Sequence, residues 1–117
     1  MQVSAFAADV LINILVSAPL GSKQQYLAIE ALGINGHGTA VDALLRLYEV
    51  AVSGSKQQYL IIEALGNSGH PVAADKLVNI FRTAAVGSKQ QFLAIEALGR
   101  VGMSRPVFCS TNSSIDK

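Results

Sequence analysis

The chain has no tryptophan, one cysteine, two histidines and three prolines among its 117 residues. The single cysteine, Cys109, cannot close an internal disulfide, so the chain suits a reducing, cytoplasmic setting. Two histidines and one thiol leave little material for a metal centre, and neither metal nor cofactor is expected. Charge is scarce as well: 15% of residues are charged, and nine basic residues against eight acidic ones give a net +1. No field of one sign is available to draw in nucleic acid or an anionic membrane. Long apolar runs are also missing. The stretch 10–16 is interrupted by Asn13 and falls far short of the roughly 20 residues a membrane span needs. Residues 1–18 lack the basic start of a signal peptide and carry Asp9.

What the chain does have is apolar material, 50% of residues, enough for one domain that buries roughly 65% of its unfolded surface. It also has a repeat. The segment G-S-K-Q-Q-Y-L-A-I-E-A-L-G at 21–33 returns at 54–66 and at 87–99. Only two of its 13 positions vary, Tyr26/Tyr59/Phe92 and Ala28/Ile61/Ala94. The 33-residue step is free of gaps, and the segments between keep the same register at Ala7/Ala40/Ala73, Asp9/Asp42/Asp75 and Leu11/Leu44/Leu77. Such self-similarity sets the architecture before any local propensity does.

Each unit holds two helical patterns. The first spans about 39–52 in the middle unit, with Val41, Leu44, Leu45 and Tyr48 at helical spacing. The second starts near Ser55, an N-cap residue, and is predicted to stop at Gly66. The spacing thus predicts six helices. One helix pair cannot bury its apolar face alone, whereas stacked pairs share a continuous core. The expected fold is an all-α, right-handed solenoid of three helix-pair repeats.

The ankyrin Thr-Pro-Leu-His signature is absent, and so is the tetratricopeptide pattern. The units resemble the short HEAT-like repeats of the phycobilisome-lyase type, V-R-x-x-A-A-x-A-L-G-x-I-G-D-x-x-A-V-x-x-L-x-x-L. The matching residues run from Ala28 through Ile29, Glu30, Ala31, Leu32 and Gly33, then Gly36, Ala40, Val41 and Leu44. The likeness covers about residues 5–102. It implies one repeat domain at 1–102, with repeats at about 5–36, 37–69 and 70–102, followed by a flexible or foreign tail at 103–117. Where the family carries Val-Arg, this chain has Gln24-Gln25, Gln57-Gln58 and Gln90-Gln91. A glutamine ladder is expected to take over part of the hydrogen bonding, because buried amides need partners.

At 100° per residue, Lys23, Tyr26, Leu27 and Glu30 share one arc of the second helix. In the family that arc lies on the concave face and carries binding. By position, the resemblance assigns to it Lys23, Tyr26, Leu27, Glu30, Lys56, Tyr59, Leu60, Glu63, Lys89, Phe92, Leu93 and Glu96. Aromatic anchors flanked by charges suit a protein partner. The same rings would serve equally as packing between stacked units. The glutamate row opposes binding of nucleic acid.

The remaining polar residues build no singular site. His37 and His70 are one repeat apart, too far to share an ion, and suit capping or turn roles. Asp42 and Arg46 form an i,i+4 pair. The glycines at 33, 36 and 38 precede no Gly-Lys-Ser/Thr, so they make no phosphate loop. No catalytic residue is identified, and a non-enzymatic interaction scaffold is the expected function. The alternative implied by the resemblance is a bilin lyase or chromophore-lyase-like subunit. The first helix is apolar on nearly every side, and its Phe6, Val10, Leu11 and Ile14 would serve self-association. A piece of a longer solenoid would show the same bare ends.

Overall fold

The computed structural model describes residues 3–104. Among the described residues there are six α-helices and no strand: α1 (Val3–Ser17), α2 (Lys23–Asn35), α3 (Gly38–Val50), α4 (Lys56–Ser68), α5 (Pro71–Thr83) and α6 (Lys89–Ser104). Met103 and Ser104, the first two residues of the expected tail, lie in α6, and the rest of 103–117, Cys109 included, lies outside the described residues.

The helices entering the recurring segment start alike because each begins with the same Gly-Ser-Lys-Gln-Gln, whose Gly-Ser closes the same turn. In 19–22, 52–55 and 85–88 the fourth residue's N–H donates to the first residue's carbonyl, at 3.1, 3.1 and 3.0 Å. The third residue is Gly21, Gly54 or Gly87, with φ of +78°, +80° and +81°, the left-handed backbone that a turn of this kind requires. Ser22, Ser55 and Ser88 then cap the helices by accepting from the N–H of Gln25, Gln58 and Gln91. Those glutamines reach back in turn: each Oε1 accepts from Gly21, Gly54 or Gly87 N–H at 2.8 Å. This is a variant of the capping box, and it gives the second glutamine of each pair a local task.

The opposite ends differ from the predicted stops. Gly33 and Gly66 lie inside helices, and the left-handed residues that end α2 and α4 are Gly36 (φ +69°) and Gly69 (φ +64°). Gly33 and Gly66 are needed for another reason. A Cβ on Gly33 would stand 2.7 Å from Ala64 Cα, and one on Gly66 would stand 2.6 Å from Ala97 Cβ. α4 lies against α2, and α6 against α4, at a distance that admits no side chain there.

The helices form two layers, α2, α4 and α6 in one and α1, α3 and α5 in the other. Each helix touches its chain neighbours and the helix two places along, whereas α2 and α6 do not touch. Ile29, Leu32, Leu44, Ile61, Ile62, Leu65 and Leu77 are fully buried between the layers. Each such side chain contributes about 1.5–3 kcal/mol of transfer free energy.

Candidate interaction surface

Lys23, Lys56 and Lys89 are the first residues of α2, α4 and α6, so the capped turn places each at the same point of its helix. All three are exposed. Tyr26 and Tyr59 lie one turn further on and are half-buried. Their phenolic oxygens stand over their own turns, 3.8 and 3.7 Å from where a Cβ on Gly21 or Gly54 would be. The lysine of the next helix covers each ring: Lys56 Nζ is 5.0 Å from the Tyr26 centroid and Lys89 Nζ is 4.9 Å from that of Tyr59. Each contact is a cation–π pair. The two residue types assigned to one arc are thus brought together across units, and the tyrosines act as inter-unit contacts with their edges still accessible. Phe92 has no such cover among the described residues and is exposed.

The leucines of the arc behave differently. Leu27 is 51% exposed, Leu60 is half-buried and Leu93 is 7% exposed. A residue that is bare in the first unit and buried in the third faces the preceding unit. Leu93 therefore belongs to the core and cannot serve a surface, and Leu60 packs against that core. Glu30 and Glu96 are exposed, and Glu63 is half-buried. Of the residues assigned to the arc, a lysine row, the tyrosine edges, Leu27, Phe92 and a glutamate row remain outward.

Other residues find structural roles. His37 Nδ1 accepts from Thr39 N–H and His70 Nδ1 from Val72 N–H, both at 3.2 Å, which caps α3 and α5. Asp42 and Arg46 pair at 2.9 Å on the exposed face of α3. On α1, Phe6, Val10 and Ile14 are exposed while Leu11 is half-buried. One contact was missed entirely: Lys76 Nζ lies 2.9 Å from Glu49 Oε2 and 4.8 Å from the Tyr48 centroid, tying α5 to α3. The available signal was Lys76 itself, which stands where the other units have Val10 and Ala43.

Among the described residues, no three His, Cys, Asp or Glu side chains converge as metal ligands, and no helix is long and apolar enough to cross a membrane. A cleft of about 640 Å³ between α1 and α3 is walled mainly by Ile12, Leu15, Val16, Leu47 and Val50. Its carboxylate, Asp42, is the one paired with Arg46. No family model, curated protein or solved structure matches this chain.

Proposed function

We propose that the chain is a non-enzymatic binding scaffold of the HEAT-like kind: a right-handed α-solenoid of three 33-residue helix pairs that holds a protein partner along α2, α4 and α6. Support for the solenoid comes from the two layers and from packing that never reaches beyond the adjacent unit. The observation that carries the function is the outward row on one layer. Lys23, Lys56 and Lys89 stand beside the tyrosine edges, with Phe92 at one end and Glu30, Glu63 and Glu96 alongside. These side chains sit on capped helices, so the backbone that carries them is ordered before binding and only side-chain rotamers are left to fix. The partner chemistry that fits is an extended segment, acidic toward the lysines and basic toward the glutamates, with one apolar side chain for Phe92.

The test is selection of peptide ligands from a random library, followed by NMR mapping of a selected peptide on the labelled chain. Shifts are expected along α2, α4 and α6, with Phe92→Ala weakening binding by about tenfold at unchanged helix content. Shifts confined to α1, α3 and α5, or indifference to Phe92→Ala together with Glu96→Lys, would remove the reading.

A further inference from the structure

Each junction between units is built from the same pieces. One helix supplies a glycine, a ring and a buried isoleucine, and the next supplies an alanine, a lysine and a leucine. Gly33 receives Ala64 and Gly66 receives Ala97. Tyr26 receives Lys56 and Tyr59 receives Lys89. Ile29 and Ile62 are both 0% exposed.

On α6 the receiving half is uncovered among the described residues. Gly99 has nothing within 4 Å of a Cβ built on it, Ile95 is 49% exposed, and Phe92 has no lysine above its ring. On α2 the inserting half is uncovered among the described residues: Leu27 is bare, Ala31 is half-buried where Ala64 and Ala97 are buried, and Lys23 lies over no ring. The other layer follows the same trend. Ile14 is 41% exposed where Ile80 is 3%, while Leu15 is buried where Phe81 is exposed. The two open faces of one molecule are therefore the two halves of its own internal junction.

We infer that a second copy of this chain docks its α1–α2 face onto the α5–α6 face of the first, continuing the stack in register. Ala31 of the second copy seats against Gly99, its Lys23 covers the Phe92 ring, and Leu27 and Ile95 are buried at the seam. The occupant is a copy of the chain because the matching half of each contact is on the chain itself. Each copy uses two different faces, so the contact is heterologous and leaves a free face at either end, and assembly grows beyond the dimer. Lys23 and Phe92 belong to both surfaces, whereas Gly99, Ala31 and Ile95 lie outside the row assigned to a partner, so variants at those three test the stack without touching that row.

The experiment is sedimentation velocity on the full chain from about 1 µM to about 1 mM, a range over which mass action exposes a weak association. The mass-average is expected to rise with concentration past that of a dimer. Gly99→Leu meets nothing among the described residues of its own chain, and Ala31→Glu places a charge on the opposite face. Each should weaken assembly by at least about tenfold while circular dichroism keeps the helix content. An equimolar mixture of the two variants should yield a dimer that grows no further, since one retains an intact α2 face and the other an intact α6 face. Ile95→Lys serves as a second block on α6. A monomer at every concentration overturns the inference, as does growth that ignores both Gly99→Leu and Ile95→Lys.

Discussion

Leu20 stands where the next unit has Ser53, and a buried amide is denied one of the two acceptors its counterpart has. In the later junction Gln90 Nε2 donates to Ser53 Oγ at 3.4 Å and to Gln58 Oε1 at 3.3 Å. In the earlier one Gln57 is buried, yet its Nε2 has no partner among the described residues. A leucine at position 20 offers no acceptor. Burying an amide nitrogen without a bond is destabilising by about 1–3 kcal/mol, while the net gain from a bond made is about 1 kcal/mol. Leu20→Ser is expected to raise stability by up to about 1 kcal/mol in urea denaturation, because Leu20 is itself mostly exposed and buries little. An unchanged midpoint would show that Gln57 is satisfied in some other way. The expected glutamine ladder thus shrinks to one inter-unit link. The S-x-x-Q spacing already carried the other role, the capping box, and that signal was legible without any neighbour.

At the scale of the element, the six helices and their order were legible because apolar spacing is a property of one helix read alone. The helix stops were not, since a glycine near a helix end has two readings and only the neighbouring helix decides between them. Gly33 and Gly66 are in-helix residues where α4 and α6 come close, and Gly36 and Gly69 are the stops. The burial of Leu93 was hidden for the same reason: angular position on a helix does not say which arc the next helix covers. One position therefore predicts opposite outcomes in three places. Ala is a better helix former than Gly by about 1 kcal/mol. At Gly33 or Gly66 the added Cβ meets backbone, so Gly33→Ala and Gly66→Ala are expected to cost about 1–3 kcal/mol through overpacking. Gly99→Ala, with open space around it, should gain up to about 1 kcal/mol when measured on dilute protein. Thermal melts of the three single variants compare them directly, and three shifts of one sign would contradict the close-approach account.

Across the whole molecule, contacts run only between neighbours, so stability should vary along the stack rather than being shared evenly. α4 packs against α2, α3, α5 and α6, whereas α1 packs only against α2 and α3. α4 also buries Gln57, Gln58, Ile61, Ile62, Ala64, Leu65 and Gly66, while much of α1's apolar surface stays bare. Opening of α1 need not disturb α4, and the first unit can fray while the middle one holds. Native-state hydrogen exchange on dilute protein is expected to give α4 amides at least about tenfold more protection than those of α1. Equal protection in both would mean that the chain opens as one cooperative unit, and the nearest-neighbour description would fail. Raising the protein concentration separates this gradient from the end-to-end contact. Added protection should then fall on α2 and α6, whose open faces take the second copy, while α4, already covered on both sides, exchanges nearly as before.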